Sequence, residues 1–540
     1  MHNVRYNKLL SKSFIALSVV SVLSACNSSG GSDSGSTPLP DTSYACQANV
    51  MEQSNQLRIY QIMVESFVDG DSNIGHGTGY GTSHHNGDLQ GIIDSLDYIQ
   101  GLGMNAIWLT PIFESQAITG QDHWADRLDA TGYFATDYFK IDPRFGDLET
   151  ARTLVDEAHK RGLYVFFDGV FGHHKEGLIK PSPSGLLPSG LSNPVDYPAS
   201  LDFYKEVATY WVKELKIDGW RLDQAYQVPT DALTQIRKAV DEASQSVTYT
   251  NANWEQVNPL GYMVAEIWKG ESEIGSDAYG ASAEPALCSA FDFPMRYRIV
   301  ETLAVNESGL GGRGVDWLDN GYQTHRLYPS HAQPNLMIGN HDLVRFGDLL
   351  QRGGLADVND VEYWQRHKAA FAFQAAYSGP ITLYYGDEIG DQVDGFAVKE
   401  DNNTCAIRGV CDDHVARSAA KIEGVTATLD ANQVDLKNYV KSLMTMRAAH
   451  PALYKGSRVN LVASNGRYVD LKKSGTNQIL FVLNTKESAN NVILTEEQVG
   501  SNQVLVDLLT NEKITLSNEQ YQIQMSALQG RFLKVTSNGQ

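Results

Sequence analysis

The sequence predicts an α/β fold: a closed (β/α)8 barrel of parallel strands, with a short inserted loop domain after strand 3 and a C-terminal antiparallel β-sandwich. Three observations predict it. Between residues 57 and 388, eight apolar strand-like runs alternate with amphipathic helical stretches, and eight consecutive βα units close a TIM barrel. The runs are nearly continuous in apolar residues, as strands covered on both faces must be. Where they break, Asp168, Arg221, Asp223, Glu266, His341 and Asp342 stand toward the C-terminal ends, the end at which such barrels build their sites.

Taken in order, "LRIYQIMVESF" opens the series at residue 57. "DLQGIIDSLDYIQGLG" places Leu89, Ile92, Ile93, Leu96 and Ile99 at helical spacing and ends on glycine. "NAIWLTPI" is the second strand. "DLETARTLVDEAHKRG" is a helix with Asp147 as its cap and Gly162 as its terminator. "LYVFFDGVF", "IDGWRLD", "YMVAEIW", "ALCSAFDF", "NLMIGNHD" and "ITLYYGDE" supply the remaining strands. Residues 171–200, rich in Gly, Pro and Ser, interrupt the alternation as an excursion after the third strand. Beyond about residue 455 the helical period disappears, and "QILFVLNT", "NQVLVDLLT", "EKITLS" and "GRFLKVT" read as short antiparallel strands.

Within "KIDGWRLDQAYQV", Arg221 and Asp223 stand two apart on a strand, so both side chains share one face and Leu222 takes the other. If that face points into a barrel, the guanidinium favours the ionised carboxylate. Asp223, Glu266 and Asp342 then make a carboxylate trio, with Arg221, His173 and His341 as donors. Glycosidic cleavage needs two carboxyl groups in different states, one ionised nucleophile and one protonated acid for the leaving oxygen. A third carboxylate can hold hydroxyls and stabilise developing positive charge.

Four stretches in this order, "DGVFGHH", "GWRLDQAYQV", "VAEIW" and "IGNHDLVRF", resemble the four signatures of the α-amylase family of glycoside hydrolases (glycoside hydrolase family 13), and the likeness runs over most of residues 57–540. The resemblance implies retaining hydrolysis of α-1,4-glucosidic bonds in starch or maltooligosaccharides, with Asp223 as nucleophile, Glu266 as acid and then base, and Asp342 gripping the 2- and 3-hydroxyls. It implies that His173 and His341 hydrogen-bond the same sugar, that Arg221 orients the nucleophile, that Tyr133 stacks under the sugar, and that Asp168 braces the arginine. A transglycosylase or an α-glucosidase on the same scaffold is the alternative, because water and a sugar hydroxyl compete for one intermediate. A non-catalytic glucan-binding lipoprotein would require a lost carboxylate, and all three are present. "YYGDEIG" resembles the subgroup acting on maltooligosaccharides, cyclodextrins and pullulan.

The pattern departs from the family at defined points. The asparagine that holds a structural calcium in many members is Gly172 here, and the Lys-His pair after the nucleophile is Tyr226 and Gln227. The usual fifth signature is not recognisable in "VDYPASLDFY". No cofactor is required for the chemistry. A different calcium site is conceivable in "DGDSNIGHG", where Asp69, Asp71 and Asn73 alternate as hard oxygen ligands do and where related enzymes of the family carry a calcium; a solvated turn explains the same residues. His84, His85 and His174 read as loop histidines, although paired histidines also bind metal.

The two ends and the charge speak to location and partners. Arg5, Lys8 and Lys12 precede the apolar run "FIALSVVSVL" and then "LSAC", the layout of an export signal too short for a permanent span. "LSAC" resembles the lipobox of bacterial lipoproteins, which implies lipidation of Cys26, a membrane partner through that anchor, and, with Asn27 following, the outer membrane. The expected organisation is therefore signal peptide 1–26, Ser/Gly/Pro tether 27–45, barrel 46–454 with its excursion 171–200, and β domain 455–540. The chain has 43 basic and 64 acidic residues, a net charge of -21, which repels nucleic acid and anionic membrane, disfavours nucleic acid as a partner and suits a neutral or cationic one. Export implies an oxidising compartment: Cys405 and Cys411 in "CAIRGVC" are expected to staple a loop, and Cys46 with Cys288 is either a second disulfide or two thiols.

Overall fold

A computed structural model describes residues 46, 48–77, 82–118, 129–396 and 415–537. One unit spans Thr42–Gln540, and the other, Met1–Asp41, lies outside the described residues, as do Cys26, Cys405 and Cys411. Eight strands close the barrel: β1 (Arg58–Ile62), β2 (Ala106–Leu109), β3 (Tyr164–Gly169), β4 (Gly219–Leu222), β5 (Tyr262–Ala265), β6 (Ser289–Phe291), β7 (Gln333–Met337) and β8 (Ile381–Tyr384). Each is parallel to its neighbours and in chain order around the ring, with β8 returning to β1. Every strand run read between residues 57 and 388 occupies one of these places.

Alternation along each strand divides two cores. Ile59, Ala106, Trp108, Phe166, Tyr262, Val264, Phe291 and Met337 point inward and fill the barrel. Tyr60, Ile62, Ile107, Leu109, Val165, Phe167, Trp220 and Leu222 point outward, into the larger layer under the helices. Burial on both faces is what removes the polar alternation from these strands. The helix Leu89–Gly101 buries Leu89, Ile92, Leu96 and Ile99, with Asp88 accepting from Gly91 N at its start. Asp147 caps Leu148–Lys160 by accepting from Thr150 N, and Gly162 follows with φ +73°. Both helices lie against the barrel through those faces.

Two insertions sit above the C-terminal ends of the strands. Phe113–Ser115 and Ala135–Ile141 form an antiparallel ribbon after β2, and its end carries Tyr133. The excursion 171–200 is irregular and folds back on its own start, with His174 N donating to Ser192 O at 3.0 Å and Val195 N to Gly172 O at 2.9 Å. Lys175 N and Lys180 N donate to Ala135 O and Thr136 O, which ties the excursion to the ribbon.

The C-terminal domain is a six-stranded antiparallel sheet facing a two-stranded ribbon, Asn490–Thr495 with Gln520–Met525. Val469, Leu480, Val482, Val492, Leu494, Leu505, Tyr521, Ile523 and Leu533 form the core between them. The sheet adds Ser457–Ser464 and Arg467–Ser474 to the strands read from the sequence. The ribbon is covered on one face only, so Gln520–Met525 alternates exposed Gln with buried Tyr521, Ile523 and Met525 and offers no apolar run. At the barrel's N-terminal side Cys46 and Cys288 form a disulfide, with Cα atoms 5.6 Å apart, which settles the state of that pair.

Candidate active site

The barrel register brings the polar groups together. β3 and β4 pair with Asp168 opposite Arg221, and β4 and β5 with Leu222 opposite Ala265. Asp168, two beyond the inward Phe166, and Glu266, two beyond the inward Val264, inherit the inward parity, as Asp223 does from Arg221. Four groups from three strands therefore face one another across the rim.

Arg221 is fully buried at the centre of this group. Its Nη1 donates to Asp168 Oδ1 and Oδ2 (2.8 and 2.9 Å) and to Asp223 Oδ1 (2.9 Å), and its Nη2 lies 3.0 Å from Glu266 Oε2. One guanidinium thus spans both carboxyl groups assigned to bond cleavage. Trp108 Nε1 donates to Asp168 Oδ2 at 3.1 Å, and its ring centroid lies 5.0 Å from the guanidinium carbon, a cation–π distance. Tyr133 OH donates to Asp168 Oδ2 at 2.9 Å.

Three acids around one arginine leave an excess of negative charge in a desolvated place. Burial pushes the Glu266 carboxyl up, Arg221 pulls it back, and Asp223 and Asp342 push it further, to about 8. Glu266 Oε2 also accepts from Gln224 N at 3.0 Å, so Arg221 and this amide both address one oxygen and leave Oε1 as the place for a proton. Glu266 is therefore built as an acid at neutral pH.

His341 is the neutral partner. Burial lowers its pKa to about 3 despite the adjacent Asp342. Gln61 Nε2 donates to His341 Nδ1 at 2.8 Å, which places the ring proton on Nε2, 2.7 Å from Tyr133 OH and 3.2 Å from Asp342 Oδ2. The Tyr133 and His341 rings stack, centroids 5.4 Å apart at 5°. Burial raises the Asp342 carboxyl, but the Nε2–H of His341 aimed at it and the charges of Arg417 and Arg221 more than offset this and hold it below the usual range. Arg417 Nη2 donates to Asp342 Oδ1 at 2.8 Å and its Nε to His341 O at 3.1 Å. His173 completes the wall, its Nε2 3.8 Å from Asp223 Oδ2.

A cavity of about 210 Å³ opens here, lined by Tyr133, His173, Asp223, His341, Asp342 and Arg417 among others. Larger grooves of about 480 to 570 Å³ lie elsewhere and touch none of the three carboxylates. The residues Asp223, Glu266, Asp342, Tyr133, His173, Arg221, His341 and Asp168 thus occupy one place. Asp69, Asp71 and Asn73 do not join them: Asp71 Oδ1 accepts from Asn73 N (3.0 Å) and Asn73 Nδ2 (2.7 Å), an Asx turn that points the amide nitrogen, not its oxygen, at the carboxylate. Among the described residues no group of three His, Cys, Asp or Glu side chains converges as a metal site would.

Sequence reasoning passed over Trp108, Gln61, Gln224 and Arg417. Trp108 and Gln61 carried a signal, since a polar tip inside a barrel strand is as informative as Arg221 in its own. Arg417 carried none, because it reaches Asp342 from 75 residues away.

A family model described as "Alpha amylase, catalytic domain" matches residues 61–178 and 199–456. The chain is 28% identical over 502 residues to a cyclomaltodextrinase of Geobacillus thermopakistaniensis, covering 85% of this chain and 74% of the relative. It is 26% identical over 500 residues to an intracellular maltogenic amylase of Bacillus subtilis, covering 84% and 73%. The solved structure of AmyP in complex with maltose is 62% identical in sequence, with a TM-score of 0.88, covering 91% of this chain and 98% of that one.

Proposed function

Because the chain belongs to the α-amylase family of glycoside hydrolases, we propose that it cleaves α-1,4-glucosidic bonds of starch or maltooligosaccharides with retention, through a covalent glycosyl-enzyme on Asp223. The observation that carries this reading is the single Arg221 guanidinium shared by Asp223 and Glu266, beside a Glu266 carboxyl raised to about 8. The names of similar proteins, cyclomaltodextrinase, maltogenic amylase and a maltose complex, support the substrate class.

In the first half-reaction Glu266 gives its proton to the glycosidic oxygen as that bond breaks, and an Asp223 oxygen bonds the anomeric carbon. In the second, Glu266 takes a proton from water, whose oxygen displaces Asp223 and restores both side chains. Asp342, held by Arg417, and the neutral His341, with its proton on Nε2, hold the sugar hydroxyls. Tyr133 supplies the flat wall. All acid, base and nucleophile functions reside in side chains, so no cofactor enters the reaction.

Asp223→Asn tests the assignment. It should lower kcat on maltotriose by about 10⁴-fold or more while leaving far-UV circular dichroism unchanged, the scale seen when an essential member of a catalytic unit is removed. Activity within tenfold of the parent would refute the nucleophile.

We also propose that Cys26 carries a lipid that holds the exported enzyme on the outer membrane. The basic, apolar and small-residue order before Cys26 supports this, and the Cys46–Cys288 disulfide is at home in an oxidising compartment.

A further inference from the structure

Two of the positions at which this chain departs from its family's motif touch each other. An added Cβ at Gly172 would stand 2.2 Å from Gln227 Oε1 and 2.6 Å from Gln227 Cβ. Gln227 therefore fills the space above Gly172, and only glycine leaves room for it. The residues present do not fit a calcium bridge at this point: Gly172 offers no side-chain oxygen, and an amide stands in the space.

We propose that Gln227 is a positioning residue that latches His173 and the 171–200 excursion to the nucleophile loop, taking the part a bridging cation would otherwise play. Its Oε1 lies 3.1 Å from His173 Nδ1 and accepts that ring's proton, which leaves Nε2 facing the cavity and Asp223. Its Nε2 donates to Asn193 Oδ1 in the excursion and to Gln224 Oε1 beside the nucleophile, each at 3.1 Å. Gln224 in turn accepts from Tyr226 OH at 2.6 Å, and its Nε2 lies 3.5 Å from Asp223 Oδ2. One amide thus joins three segments: the first motif, the excursion and the loop after β4. With Nδ1 engaged by Gln227, the His173 ring presents Nε2 to a sugar hydroxyl in the cavity. The latch acts on the sugar through His173, so its loss weakens substrate binding more than bond cleavage. The substrate part of this inference rests on the glucan-hydrolase reading; the tautomer part does not.

The test uses the mature full-length enzyme with Gln227→Met, which keeps the side-chain length and removes both hydrogen-bonding ends, and Asn193→Ala, which cuts only the excursion contact at an exposed position. Gln227→Met should raise KM for maltotriose about tenfold with kcat within about threefold, as loss of one or two polar contacts predicts. Asn193→Ala should raise KM about threefold. KM values within about twofold of the parent in both variants would overturn the latch. Independently of turnover, ¹⁵N NMR of the parent should find the His173 proton on Nδ1, and a proton on Nε2 alone would overturn the tautomer assignment. A parent that does not cleave maltotriose overturns the functional reading and the sugar contact together, while the NMR result still decides the His173–Gln227 contact.

Discussion

Glu266 shows how much one residue's environment decides. In a peptide its carboxyl is ionised at neutral pH; here burial and two neighbouring carboxylates raise it to about 8. Catalysis by this acid needs the protonated form, so activity persists through neutrality and falls as pH rises through about 8, where the proton is lost. The profile of kcat/KM against pH on maltotriose should therefore carry its alkaline limb near 8. A limb near the ordinary carboxyl value, about 4 to 5, would show that the raised acid is not the one at work. The identity of Glu266 was legible from the sequence as "VAEIW" in the right order; its proton affinity was not, because that depends on Arg221, Asp223 and Asp342 all arriving from other strands. Arg417, which holds Asp342, was not legible at all.

Among the elements, β4 carries the tightest constraint. Gly219 pairs with Tyr262 of β5, has φ +144°, and an added Cβ would meet Tyr262 O at 1.7 Å. The strand that delivers Arg221 and Asp223 approaches its neighbour closely only because this position has no side chain. Gly219→Ala should destabilise the protein by about 3 kcal/mol, from overpacking plus backbone strain, read as a fall in Tm with loss of activity in parallel. A Tm within about 2 °C of the parent would show that the strand can yield. Element by element, the eight barrel strands were legible because covering both faces turns them into apolar runs. The ribbon Phe113–Ser115 with Ala135–Ile141 was not, since Thr136, Asp137 and Lys140 interrupt its apolar residues.

For the whole molecule, charge, export and attachment form one picture. A net charge of -21 repels anionic surfaces, and among the described residues no helix is long and apolar enough to cross a membrane. The proposed lipid on Cys26 is the feature that would attach such a chain to a membrane. Cys26→Ser should move the exported enzyme from the detergent-extracted membrane fraction to the soluble fraction without changing its activity on maltotriose. A variant that stays with the membrane would defeat the anchor. The disulfide joins residues 242 apart in sequence, a pairing that cysteine positions left open because partners across such a span are chosen by the fold.

The sequence by itself determined the barrel, the order of its strands and the identity of the carboxylates, Arg221 and the histidines at its rim, since periodicity and motif are local properties of the chain. Only the tertiary structure decided that one guanidinium would serve Asp168, Asp223 and Glu266 together, that Glu266 would keep its proton, and that Gln227 would occupy the space above Gly172. The reason is physical: desolvation, Coulomb interaction and steric exclusion act over a few ångströms in space, and the groups involved lie tens to hundreds of residues apart along the chain.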